Sequence, residues 1–202
     1  MTTTKRKMDG NFKYVLELRQ KEKKTINQQI EEAEVGEKEL KRQLSKYDQA
    51  TEILDFLYLA GYGSTHLDVL RELGVTCVIN VAEECRCKFL PNDDGIVEHR
   101  QIIEDIVQTD QHSTFYQLFK VIDKVQSQGG KVLVHCMRGR SRSATIVIGY
   151  LIYKYNWDLK KAYAFVKEKR SFIGPHGHLK IQLIVFEKEH LDVDQSKKVW
   201  SS

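Results

Sequence analysis

Beyond about residue 48, apolar residues come in short runs separated by polar stretches patterned at helical spacing. The runs at 53–54, 58–60, 76–81, 97–102 and 131–134 are rich in β-branched and aliphatic residues and too short for helices, so strands are expected there. Between them, Ser64 or Thr65 can cap a helix running to Leu73 and ended by Gly74. A second helix from about Thr114 puts Phe115, Leu118, Ile122 and Val125 on one face, and Gly129-Gly130 stops it. The stretch after Arg142 is apolar nearly all round, with Ala144, Ile146, Val147, Ile148, Tyr150 and Leu151, so a helix there should run through the interior. Asp158 is placed to cap a further helix through Lys169, and Pro175 suits the first turn of a last one reaching about His190. Short strands alternating with helices predict an α/β domain with a central, mostly parallel sheet of about five strands flanked by helices.

The first 47 residues follow another pattern. Residues 1–11 read as a polar, disordered start, and Lys5-Arg6-Lys7 is too short to serve as a targeting signal by itself. From 12 to 47 the chain is rich in Glu, Lys and Gln with few turn residues, which predicts an N-terminal helical extension. Ile26, Ala33, Leu40 and Tyr47 recur every seven residues, and Ile30 and Leu44 follow Ile26 and Leu40 by four. This makes a weak heptad seam, a coiled-coil pattern that Gly36 and Glu37 interrupt. Such a helix either self-associates or binds a partner, or else folds onto its own domain or stands in solvent. The expected division is an extension at 1–47, a globular domain at 48–191 and a flexible tail at 192–202.

Composition narrows the class. The 202 residues, 41% of them hydrophobic, leave room for one well-cored domain plus the extension. No uninterrupted apolar stretch reaches membrane-spanning length, and the polar N-terminus lacks an apolar signal core. A cytoplasmic or nuclear protein is therefore expected. Residues 1–47 hold 12 Lys and Arg against 8 Asp and Glu, which accounts for the whole formal net charge of +4. The remainder is balanced, so no nucleic-acid partner is expected. Cys77, Cys85, Cys87 and Cys136 are too few for a disulfide framework in a chain this long and fit a reducing compartment. Cys85-x-Cys87 supplies two metal ligands with no second pair, so neither a metal nor another cofactor is expected. Ordinary reduced thiols are favoured over a redox partnership with Cys136.

The densest chemistry lies in His135-Cys136-Met137-Arg138-Gly139-Arg140-Ser141-Arg142-Ser143. A cysteine that ends the apolar run Val132-Leu133-Val134 and precedes a tight loop into a helix sits where main-chain N–H groups converge on an anion. The helix N-terminus and a nearby arginine favour the thiolate, which is nucleophilic without a separate base. Arg142 presents a planar guanidinium that can bind two phosphate oxygens at once and offset their charge during transfer. Gly139 lets the backbone approach the ligand, and Ser141 and Ser143 supply hydroxyls near the helix start. An inert buried cysteine before a glycine turn would not need three arginines within six residues.

This run resembles the signature loop of cysteine-based protein phosphatases, and its closing Ser141-Arg142-Ser143-Ala144 resembles the dual-specificity branch. The likeness extends through Glu52-Ile53-Leu54, Leu57-Tyr58-Leu59, Val78-Ile79-Asn80-Val81-Ala82, Arg170 and Gly174-Pro175, over about residues 48–191. The resemblance implies a phosphatase acting on phosphotyrosine and phosphoserine or phosphothreonine of proteins, through a phosphocysteine intermediate that water hydrolyses. Two alternatives stay open: a phosphatase of a phosphoinositide or RNA phosphate, and a low-turnover phosphate-binding scaffold. A general acid is implied about thirty residues before the cysteine, to protonate the leaving oxygen. Asp105, 31 residues upstream and just after Ile102-Ile103, is the first candidate, with Asp110 and Glu104 on the same loop behind it. Ser143 is implied as the hydrogen-bond donor to the departing thiolate and His135 as a support of the loop. Met137, Arg138, Gly139, Arg140 and Ser141 complete the implied phosphate loop.

The chain also departs from the family. Arg138 and Arg140 stand where many relatives carry a small and an apolar residue. They either point outward and pair with acids or favour substrates with additional negative charge. His176 stands where asparagine is usual, which puts the rigidity of the loop in question. No long phosphotyrosine-recognition loop precedes the first strand, which implies a shallow pocket.

Overall fold

The apolar runs become five strands of one sheet in a computed structural model that describes residues 24–25, 47, 49–87, 95–103 and 112–199. They are β1 (Thr51–Leu54), β2 (Leu57–Gly61), β3 (Val75–Asn80), β4 (Val97–Arg100) and β5 (Lys131–Cys136), in the order β1-β2-β5-β3-β4. Only β1 runs antiparallel to its neighbour; the other three pairings are parallel. Among the described residues, five helices flank the sheet: α1 (Leu67–Leu73), α2 (His112–Ser127), α3 (Arg142–Tyr155), α4 (Leu159–Lys169) and α5 (Gly177–Val199). This is the expected α/β architecture. The chain divides into two compact units, Met1–Leu44 and Ser45–Ser202. In the first, Lys24 and Thr25 are helical; the heptad seam otherwise lies outside the described residues, apart from Tyr47 in the second unit.

Residue alternation along β5 explains why it lies at the centre. Val132, Val134 and Cys136 join the large apolar cluster with α2 and α3, while Leu133 joins the second cluster with Leu70, Val75 and Val78 on the opposite face. Helix α3 buries ten consecutive residues, Ser143 to Ile152. Burying Ile146, Val147, Ile148 and Leu151 stabilises the fold by roughly 1.5–3 kcal/mol each. A helix held all round in this way cannot pivot, so its N-terminus has a fixed direction.

Several boundaries differ from the sequence expectations. Ser64 and Thr65 do not cap α1; they lie in a 3-10 turn, Tyr62–Thr65, where the Thr65 hydroxyl donates to the Tyr62 carbonyl at 2.8 Å. Helix α1 begins after His66 without a side-chain cap and ends, as expected, at Gly74 with φ +68°. Strand β4 stops at Arg100, two residues early, although the Gln101 and Ile103 amides still donate to Asn80 and Val81. Asp158 caps α4 as expected, accepting from the Lys161 amide at 2.6 Å. The last helix starts at Gly177 rather than at Pro175, because its first bond runs from the Lys180 amide to the His176 carbonyl. It continues to Val199, through most of the expected flexible tail; no glycine or proline follows Gly177 to stop it.

Candidate active site

Strand β5 delivers Cys136 to the carboxyl edge of the sheet, the side on which open α/β sheets place their ligands. Its thiol is nearly buried, at 3% exposure. The chain then turns through residues 137–141 into α3, whose first residue is Arg142. Gly139 has φ +61°, and a Cβ there would stand 2.4 Å from the Ala60 carbonyl and 2.6 Å from Arg170 Nη2. Conformation and space both demand glycine.

Among the described residues, four hydrogen bonds of 3.1 Å or shorter reach the loop from segments distant in sequence, beside a longer one from Arg170 Nη2 to the Arg138 carbonyl at 3.5 Å. The Tyr62 amide donates to the Met137 carbonyl at 3.1 Å, Arg170 Nε to the Gly139 carbonyl at 2.9 Å, and the Gly174 amide to the Arg140 carbonyl at 2.9 Å. The fourth runs from the His176 amide to Ser141 Oγ at 3.1 Å. This contact at His176 comes from a main-chain N–H, which any residue but proline supplies. Ser143 lies one position into α3, with Oγ 3.1 Å from Cys136 Sγ. His135 is buried; its carbonyl accepts from the Val81 amide at 3.1 Å and its ring stacks on Tyr62.

A cavity of about 290 Å³ opens over Cys136, with Arg138, Arg140, Arg142, Glu84 and His176 around it. Arg138 and Arg140 are exposed, and among the described residues neither guanidinium has an acidic partner. Arg142 is bound by Glu84, which accepts from Nη1 at 2.9 Å and also from Nη2. The hydrogen bonds from Arg142 hold the Glu84 carboxyl at a pKa of about 2, against the opposing effect of its partial burial. Glu84 is therefore ionised at neutral pH and unsuited to give up a proton. Asp105, Asp110 and Glu104 lie outside the described residues.

Two side chains that contact the loop or its arginine were not singled out as site residues from the sequence. Glu84 is one. The other is Arg170, known from the sequence only as a point of resemblance, which at 2% exposure donates to the carbonyls of Tyr47 and Gln49 at 2.8 and 2.7 Å and to Thr51 Oγ1 at 2.8 Å, besides Gly139. It joins the loop after β5 to the segment that precedes β1. Cys85 is buried and its thiol is pushed up to about 11, chiefly by that burial, whereas Cys87 is exposed. Burial likewise raises Cys77 to about 11. Among the described residues no helix is long and apolar enough to cross a membrane.

Residues 57–189 match the family described as dual specificity phosphatase, catalytic domain. Dual specificity protein phosphatase 1-A of Xenopus laevis is 40% identical over 149 residues, which are 72% of this chain and 39% of that protein. The chain thus spans about two fifths of the length of that curated relative. Among solved structures, the human tyrosine phosphatase-like serine/threonine/tyrosine-interacting protein is similar with a TM-score of 0.63 and 32% identity, over 70% of this chain and 97% of that one. PTPMT1 in complex with PI(5)P is similar with a TM-score of 0.62 and 27% identity, over 73% and 99% of the two chains.

Proposed function

This chain belongs to the dual specificity phosphatase family, and on that premise we propose that it hydrolyses phosphotyrosine and phosphoserine or phosphothreonine esters of proteins through a phosphocysteine intermediate. The observation that carries the reading is the pair Cys136 Sγ and Ser143 Oγ, 3.1 Å apart under a cavity faced by Arg142. In the first step the Cys136 thiolate attacks phosphorus in line with the ester oxygen. The sulfur–phosphorus bond forms, the ester bond breaks, and the leaving oxygen takes a proton from Asp105. In the second step water attacks phosphorus, its proton passes to Asp105 and the sulfur–phosphorus bond breaks. Ser143 donates a hydrogen bond to the departing thiolate, while Arg142 and the loop amides hold the phosphoryl oxygens through both steps. His135 supports the loop, its carbonyl accepting from the Val81 amide just past β3 and its ring packed on Tyr62.

Arg138 and Arg140 support a finer statement about substrate. With no acidic partner among the described residues and a place at the mouth of the cavity, they favour esters that carry further negative charge. A phosphoinositide headgroup is the second reading that this charge admits. Four cysteines outside any disulfide suit a reducing compartment, cytoplasm or nucleus. The extension at 12–47 is the segment proposed to self-associate or bind a partner.

Assays of the full chain on a small aryl phosphate, phosphopeptides and phosphoinositides, with Cys136→Ser beside it, test the reading. Phosphate release from the phosphopeptides is expected and should vanish in Cys136→Ser. Release from the phosphoinositides alone would select the second reading, and no Cys136-dependent release from any of them would leave the scaffold. Asp105→Asn should lower kcat on poor leaving groups by about 10²–10⁴ and much less on an activated aryl phosphate.

A further inference from the structure

Glu84 makes a two-pronged contact with the arginine that the proposed chemistry relies on. Its Oε2 accepts from Arg142 Nη1 at 2.9 Å and its Oε1 from Nη2. An ion pair between surface side chains is ordinarily worth little, because both long chains must be ordered to make it. Here the ordering has been done by the fold. Asn80 ends β3 fully buried; its Oδ1 accepts from the Ala82 amide at 3.0 Å and its Nδ2 donates to the Cys85 carbonyl at 2.9 Å, bracketing the turn that carries Glu84. The Cys85 amide closes that turn onto the Ala82 carbonyl at 3.3 Å, and Arg100 Nη2 holds the Glu83 carbonyl at 2.6 Å. At the other end, Arg142 opens the helix whose next ten residues are all buried. Both backbones are fixed before the side chains meet. The carboxylate is ionised throughout the neutral range, so its charge is always present.

A guanidinium has five N–H donors, and a carboxylate that meets it end-on uses one hydrogen on each terminal nitrogen. The plane of the group is then set by the protein before any substrate arrives. We propose that Glu84 is a positioning residue for Arg142: by holding both terminal nitrogens it turns the other edge of the guanidinium, Nε and the adjacent Nη hydrogen, toward the phosphoryl group at Cys136. This rests on the phosphatase reading above. A carboxylate on an anion-binding arginine could also act in the opposite sense, as a stand-in that phosphate must displace. The two differ in sign. Removing a positioning group weakens phosphate binding, whereas removing a competitor tightens it.

The experiment uses the full chain with Glu84→Ala and Glu84→Gln, alone and combined with Arg142→Lys. On a small aryl phosphate, Glu84→Ala is expected to lower kcat/KM by about ten- to a hundredfold, the range for losing a group that orients a binding residue. Glu84→Gln, which keeps one acceptor oxygen, should lose less. Inorganic phosphate should bind more weakly to Glu84→Ala by calorimetric titration, while its unfolding midpoint stays close to that of the parent chain. In the Arg142→Lys background the loss on removing Glu84 should shrink to within about twofold, since the two residues act as a unit. Tighter or unchanged phosphate binding in Glu84→Ala, or equal losses in both backgrounds, would overturn the proposal. The phosphate titration needs no turnover. A parent chain that binds phosphate but releases none from any ester would fail the phosphatase reading while still reporting on Glu84.

Discussion

At the scale of single residues the site is a set of charges whose partners decide their roles. Arg142 and Glu84 face each other, and Arg170 meets carbonyl oxygens; Arg138 and Arg140 are left to the cavity. The reading in which these two arginines pair outward with acids finds no such acid among the described residues. They are expected to act on substrate. Arg138→Ala and Arg140→Ala should each lower kcat/KM for a doubly phosphorylated peptide by about three- to tenfold more than for its singly phosphorylated form, the scale of one exposed charge contact to a dianion. An unchanged ratio of the two rates would leave these side chains without a part in specificity. Gly139 shows the same dependence on neighbours in steric form, since its place is taken up by Ala60 and Arg170 on the side where a Cβ would go.

At the scale of elements, the loop is shaped by three segments distant in sequence. Helix α4 ends at Arg170, the following turn supplies the Gly174 and His176 amides, and the 3-10 turn after β2 supplies the Tyr62 amide. Arg170 binds the most partners of these. Its Phe172 neighbour lies under the guanidinium at 4.4 Å and stacks edge-on against Tyr47, so the joint between the domain's start and the loop is packed as well as hydrogen-bonded. Arg170→Ala would leave several buried carbonyls without a donor and is expected to destabilise the domain by about 3–5 kcal/mol in urea unfolding. Arg170→Lys should recover only part, because an ammonium cannot reproduce the planar fork. A variant as stable as its parent would mean that water replaces these bonds at no cost.

At the scale of the whole molecule, the sheet order puts β5 between β2 and β3, and so puts the cysteine at the middle of the sheet's carboxyl edge with a buried helix behind it. Residues 1–47 bear the excess charge and the interrupted heptad seam, most of both within the N-terminal unit. Sedimentation of the full chain against a chain beginning at Ser45 is expected to show the larger species only when residues 1–44 are present. Equal association states would remove self-association from that segment. Strand and helix identities, the buried character of α3 and the cysteine-to-arginine spacing were all legible in the sequence. Each rests on local periodicity or on a loop only nine residues long, where covalent connection enforces proximity. Helix starts at 62–67 and 175–177 were less so, since a hydroxyl or an amide there takes a partner that local propensity does not reveal. Glu84 lies 58 residues from Arg142, Arg170 lies 31 from Gly139, and His176 lies 35 from Ser141. No period or motif links positions that far apart. Only the folding of the sheet and the burial of its helices brings them together, and that is why the cysteine and the arginine of one short loop could be singled out from the chain while what holds them in place had to be read from the tertiary structure.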